Sequence, residues 1–176
     1  RITGDYKALE AELNGEPVTM GYNPSFFLVG NNKIVIAVGY VYPGSAAADA
    51  GLERGNIILS IDNTPLDTSN YYDLYSGPVY SIQLGRLEGN TLVPTGQSLT
   101  MTARVTNTNP AIYHEVLDIE GHKIGYLVYV EFIAGESDAL LTEMDNIFNE
   151  FKSAGVSDLI VDFRYNPGGE ISAAVH

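Results

Sequence analysis

The 176-residue chain is acidic, with 22 Asp and Glu against 9 Lys and Arg and a formal charge of −13. Phosphate binding needs clustered Lys and Arg, and no such cluster exists, which argues against nucleic acid or anionic membrane as a partner. A hydrophobic share of 45% suits a packed core, and the absence of Cys removes disulfides, thiolate zinc sites and a cysteine nucleophile together. Cysteine usage fits a reducing cytosol or a bacterial envelope equally. No apolar run reaches the roughly 18 residues of a membrane-spanning helix, and Arg1-Ile2-Thr3-Gly4-Asp5 is no signal peptide. The expectation is a soluble protein whose export signal has been removed.

In chain order, a lead segment (1–19) precedes a region, 17–106, of short β-rich runs broken by Gly, Pro, Asn and Asp, which reads as a small, mainly antiparallel module. Within it, Pro43-Gly44-Ser45-Ala46-Ala47-Ala48-Asp49-Ala50-Gly51-Leu52 predicts a short alanine helix capped by Ser45 and closed by Gly51. Gly55-Asn56 then turns, 57–61 forms a strand, and Asp62-Asn63 turns again. A linker at 107–111 follows. Beyond it, 124–132 reads as a strand, 137–154 as a helix and 156–163 as a second strand, a β-α-β unit with a two-stranded parallel sheet. Leu140, Met144, Ile147, Phe148 and Phe151 share one helix face, Ser137 can cap its start and Gly155 can end it. At roughly 1.5–3 kcal/mol each, five such side chains offset the cost of ordering that helix.

The string 43–63 resembles the central segment of PDZ domains, especially those of bacterial proteases, with the likeness covering 20–106. The resemblance implies that an extended peptide adds a strand beside 22–29 and packs against 68–75, with its C-terminal carboxylate on backbone N–H groups near Met20, Gly21 and Tyr22. Phe26, Tyr71, Tyr72 and Tyr75 complete the expected peptide-binding set; the three tyrosines either offer apolar bodies with polar tips to a ligand or pack on their own core. The sequence departs from the Gly-hydrophobic-Gly-hydrophobic pattern of the carboxylate loop, and Pro24 removes one backbone donor there.

Residues 112–176 resemble the opening of the catalytic domain of the C-terminal processing, or tail-specific, peptidases. The carriers are Lys123-Ile124-Gly125-Tyr126-Leu127-Val128-Tyr129-Val130-Glu131-Phe132 and Leu159-Ile160-Val161-Asp162-Phe163-Arg164-Tyr165-Asn166-Pro167-Gly168-Gly169. A PDZ module followed by this segment matches the family order. The implied fold class is α+β: a PDZ-like β-rich module followed by a β-α-β unit from the start of a crotonase-like α/β peptidase core. The implied chemistry is peptide hydrolysis by a serine with a lysine base, or by a serine, histidine and glutamate set, without metal or organic cofactor. Gly168 and Gly169 are the oxyanion-hole candidates, because a glycine turn can aim donors at developing negative charge with no side chain in the way. Asp162, Arg164 and Asn166 are read as bracing that turn.

The family nucleophile and base would lie downstream of the glycine turn, so the chain as given is expected to bind peptide without cleaving it. Ser172 reads as ordinary first-turn helix chemistry rather than a nucleophile. His114, His122 and His176 have neither the mutual spacing of a metal site nor an obvious carboxylate and serine partner and read as surface histidines, and Asp118, Glu120 and Glu131 read as a solvated acidic face. The expected partner is a protein or peptide with a free C-terminus. The expected location is the periplasm, the cell envelope or the exterior of a bacterium. Association of two copies through the uncovered β-α-β surface is a further expectation. The alternative reading is a non-catalytic protein that binds peptides or partners through the same two parts.

Overall fold

The computed structural model describes residues 5–176. They form two units, one spanning Val18–Asn107 and the other joining the residues up to Pro17 with Thr108–His176. The first described element, α1 (Tyr6–Leu13), is capped by Asp5, whose carboxylate accepts the Ala8 N–H at 3.1 Å. Sequence reading treats 1–19 as a mere lead, whereas α1 and Gly15 are part of the second unit, where Gly15 O accepts from Thr108 N at 2.8 Å.

In the Val18–Asn107 unit, β1 (Val18–Thr19) leads into β2 (Tyr22–Val29) and β3 (Lys33–Val41). Helix α2 (Ala46–Asp49) precedes β4 (Ile57–Ile61) and β5 (Thr64–Pro65), and α3 (Tyr71–Tyr75) precedes the long hairpin of β6 (Val79–Glu88) and β7 (Thr91–Thr102). The main sheet runs β2-β3-β4-β6-β7, with β5 paired to β4, while β1 pairs with β8 (Arg104–Val105). Ile36, Ile58, Ile61 and Ile82, all with no exposed surface, lie at the centre of its single core. The string 43–63 folds as read. Ser45 Oγ accepts from Ala48 N at 3.1 Å, Gly51 adopts φ +81°, and Asp62 and Asn63 take left-handed conformations in the turn between β4 and β5.

In the other unit, β9 (Ala111–Ile119), β10 (His122–Tyr129) and β11 (Asp158–Asp162) form a sheet in the order β11-β10-β9. β10 and β11 run parallel, from Ile124 opposite Asp158 to Val128 opposite Asp162, with α4 (Ala139–Ala154) between them in sequence. The expected two-stranded fragment is corrected: β9 pairs antiparallel along the other side of β10. The turn that joins them has Glu120 at φ +53° and Gly121 at φ +85°, a hairpin signal of the kind read at Asp62-Asn63 but passed over here.

Helix α4 starts at Ala139 rather than Ser137. Ser137 and Asp138 both have positive φ, 52° and 61°, in the short turn Glu136–Asp138, so Ser137 sits in the wrong conformation to cap; the Leu140 N–H bonds Ala134 O at 3.0 Å instead. Gly155 does end the helix, left-handed at φ +77°, with Val156 N reaching back to Phe151 O at 3.0 Å. On the apolar face Leu140, Leu141, Ile147 and Phe151 are buried, while Phe148 is 38% exposed on the shoulder. Ile147 and Phe151 pack with Leu127 and Tyr129 of β10; Leu141 packs with Ala134 and with Ala173 of α5 (Ile171–Ala174).

Candidate functional site

The glycine turn follows β11. Asp162, the last strand residue, is buried, and its carboxylate accepts from Arg164 Nε at 2.9 Å, Arg164 N at 3.0 Å and Tyr126 Oη at 2.9 Å. The Arg164 hydrogen bonds hold this carboxyl well below the ordinary carboxylate range, helped by the Tyr126 hydroxyl. Asp162 and Arg164 thus clamp the point where the chain leaves the sheet.

Asn166 carries the next part of the turn. Its N–H bonds Phe163 O at 2.9 Å, its Oδ1 accepts from Gly168 N at 2.8 Å, and its Nδ2 donates to Tyr129 O at 3.3 Å. A bridge to Phe132 then fixes Gly169: Phe132 N donates to Gly168 O at 2.9 Å, and Glu170 N donates to Phe132 O at 2.6 Å. In a parallel bridge of this kind the central residue turns its own N–H and C=O away from the partner. Among the described residues the Gly169 N–H makes no hydrogen bond, and Gly169 is exposed. The approach is so close that a Cβ at position 169, where φ is +142°, would lie 2.1 Å from Phe132 O. The two oxyanion candidates are therefore unequal, since one amide is occupied and the other open.

Two sequence readings change here. His114 Nε2 lies 3.2 Å from Glu150 and His176 Nε2 lies 3.0 Å from Asp145, so two of the three surface histidines do have carboxylate partners, brought to them by α4. Glu131 is half-buried rather than solvated, and desolvation, with Glu12 nearby, pushes its carboxyl above the ordinary value. Asp118 and Glu120 are exposed as expected, and Ser172 lies 3.5 Å from Glu170 Oε2 at the start of α5. Among the described residues no group of three or more His, Asp or Glu is placed to hold a metal ion.

The second candidate site lies in the Val18–Asn107 unit, where β2 is an edge strand. Val38 directs both its N–H and its C=O to Asn56 and Gly55, at 2.9 and 2.8 Å, so opposite it Pro24 faces away from β3. Alternation then turns the main-chain groups of Phe26 and Leu28 outward too. The bond from Tyr42 N to Gly21 O, at 2.9 Å, does the same for Tyr22. The open edge thus presents N–H groups at Tyr22, Phe26 and Leu28, and at Pro24 a carbonyl alone.

Of the residues expected to bind peptide, Met20 and Tyr22 are buried, and the Tyr22 hydroxyl meets that of Tyr80 at 3.0 Å. Burial pushes both phenols up, and Tyr75 likewise. Gly21 N–H is taken by Thr19 Oγ1 at 3.2 Å, and a Cβ on Gly21 would lie 2.1 Å from that of Ser45. Phe26 meets Tyr71 and Tyr75, each with ring centroids 5.3 Å apart, and Tyr75 reaches Tyr22 at 6.1 Å. Tyr72 is 69% exposed and stands outside this aromatic group. Met20, Tyr75, Gly77, Pro78 and Tyr80 line a cavity of about 260 Å³ at that end of the sheet. Sequence reading missed Thr19, Ser45 and Tyr126 as supporting groups; a polar side chain acts there through contacts 2 to 36 residues away, which spacing alone does not reveal.

Two parts of the sequence match known domain models: residues 38–81 a PDZ domain, and residues 123–176 peptidase family S41. A carboxyl-terminal-processing protease of Picosynechococcus sp. is 27% identical over 173 residues, covering 97% of this chain and 40% of its own. The chloroplastic carboxyl-terminal-processing peptidase 2 of Arabidopsis thaliana is 25% identical, covering 98% and 34%. A crystal structure assigned to the S41 proteases, from Bacteroides fragilis, superposes with a TM-score of 0.74 at 30% identity, over 90% of this chain and 43% of that one. The photosystem II D1 C-terminal processing protease shares the fold at a TM-score of 0.53 and 20% identity, over 93% and 43%. The chain therefore carries a PDZ domain followed by a peptidase family S41 segment. Its relatives are the carboxyl-terminal-processing proteases, of whose length it spans well under half. Among the described residues no helix is long and apolar enough to cross a membrane.

Proposed function

We propose that this chain is the substrate-capturing and oxyanion-supplying portion of a serine endopeptidase that recognises C-terminal tails of proteins. The observation that carries the reading is the hydrogen-bonded glycine turn after β11, in which Gly169 is exposed and its amide is unpaired among the described residues. In acyl transfer the attacked carbonyl oxygen becomes negative, and a preorganised N–H aimed at it stabilises the transition state without reorganising. The serine and its base, whether lysine or a histidine and glutamate pair, come from elsewhere in the complete protein, and no metal or organic cofactor has a part.

The PDZ domain, taken as 20–106, captures the tail along the open edge of β2, with the backbone of Tyr22, Phe26 and Leu28 pairing with the peptide. The carboxylate lies at the Met20-Gly21-Tyr22 end, where Tyr22 supplies the open donor, and Tyr71, Tyr72 and Tyr75 flank the bound chain. The bacterial relatives support a bacterial protein, and its site of action is taken as the periplasm, the cell envelope or the exterior of the cell. Exposed Leu159 and Ile160 on β11 support association of two copies through that strand.

The test has two arms. The chain should bind a peptide with a free C-terminus more tightly than its C-terminal amide, with amide shifts concentrated on β2; equal binding of the two would remove tail recognition. In the complete protein, Gly169→Pro should abolish turnover while leaving peptide binding intact, and unchanged turnover would remove the oxyanion role.

A further inference from the structure

Resting on the peptidase reading above, we infer that Asn166 is a positioning residue: by taking the Gly168 N–H for the turn, it commits the Gly169 N–H to the oxyanion. The two amides are neighbours, and without a constraint either could face a bound carbonyl. Asn166 Oδ1 closes an Asx turn on Gly168 N at 2.8 Å, which removes that donor from the site. The same side chain is tethered through Nδ2 to Tyr129 O at 3.3 Å, so its own orientation is set by β10. From the other side Phe132 holds Gly168 O and the Glu170 N–H, at 2.9 and 2.6 Å, which turns the peptide group between Gly168 and Gly169 so that the Gly169 N–H points away from the sheet. Asn166 touches no reacting atom; it acts through the amide it withholds. Loss of its side chain frees Gly168 N–H and releases the tether to Tyr129, and the donor at Gly169 drifts from its aim. A misplacement of about 1 Å can cost up to about a hundredfold in rate.

The experiment pairs amide exchange on this chain with steady-state kinetics on the complete protein. In the wild-type chain the Gly168 amide should exchange slowly and the Gly169 amide fast; Asn166→Ala should bring Gly168 to the fast rate while the amides of β10 keep theirs. In the complete protein Asn166→Ala should lower kcat about tenfold to a hundredfold with KM within about twofold. Asn166→Ser, whose hydroxyl accepts the same bond more weakly, should fall between. Slow exchange at Gly169, a kcat unaffected by Asn166→Ala, or a serine variant no better than alanine overturns the assignment. Loss of the β10 protection in the alanine variant, with KM rising as kcat falls, would overturn it too, by reducing Asn166 to a folding role. A wild-type complete protein that cleaves no peptide defeats the peptidase reading itself, whereas an active wild type indifferent to Asn166→Ala defeats this inference alone.

Discussion

The Val18–Asn107 unit gathers fifteen buried residues into a single core, whereas in the other unit four pack in one cluster and three in another. The strands differ in the same way: β3 has burial along nearly its whole length, but Leu159 and Ile160 of β11 are about half exposed. A domain that closes on itself holds its open β2 edge with its own packing. The peptidase segment instead holds its turn with polar clamps, Asp162 with Arg164 and Asn166 with Gly168, at the rim of a sheet whose β11 edge is unpaired among the described residues.

The sharpest way to break that contrast is to cut a methyl-rich side chain from each core. Ile58→Ala in the first unit should cost about 2–5 kcal/mol, the usual range for such a deletion, because Ile58 has no exposed surface and its neighbours are rigid strands. Leu127→Ala should unfold its own unit while leaving the other's transition in place, and hydrogen exchange should show residues 34–61 more protected than β10 and β11. Greater protection in β10 would reverse the comparison. A smaller effect tests the support of the chain leading into β2. Ser45→Ala removes both the cap on Ala48 N and the bond to Gly21 O at 3.2 Å, and should lower the stability of the first unit by about 1–2 kcal/mol. A change below a few tenths in denaturant titration would show that the bonds from Gly21 to Thr19 and Tyr42 hold it without Ser45.

The smallest effect concerns charge. Glu131 has its folded carboxyl value raised by desolvation, so the ionised form is penalised in the native state, and stability is lost as pH rises from about 4.3, the unfolded value, through the folded one. Glu131→Gln should therefore stabilise the second unit at pH 7 and make no difference below about pH 4. Asp162 has the opposite sign. Its lowered value adds stability that is fully present above about pH 3.9, the unfolded value, and is lost progressively as pH falls from there through the folded one, so its clamp on the turn stays closed across the neutral range. A Glu131→Gln variant with unchanged melting at pH 7 would place that carboxylate in solvent.

Much of this organisation was legible in the residues. The Ser45 cap, the Gly51 closure and the Asp62-Asn63 turn are local chemistry, decided within a few residues, and the structure places each as read. The start of α4 was misread because Ser137 is a good cap by type but sits left-handed, a conformation set by the turn that Gly135 begins. β9 was missed because its apolar and polar positions mix, with burial only partial along the strand. At the site, the glycine pair was readable as a motif. The inequality of its two amides was not, since it depends on Phe132, 37 positions before Gly169 and brought beside it by the parallel strands.

Pro24 has one more effect. An unpaired strand edge is a growth surface, and a chain that docks on it normally presents a fresh edge for the next, the route to stacked fibrils. On β2 the third residue cannot donate, so every guest strand leaves one carbonyl facing a pyrrolidine ring. A short tail anchored elsewhere tolerates one such vacancy. A stack of identical copies meets it at each layer, so an open edge interrupted by Pro24 resists becoming a template.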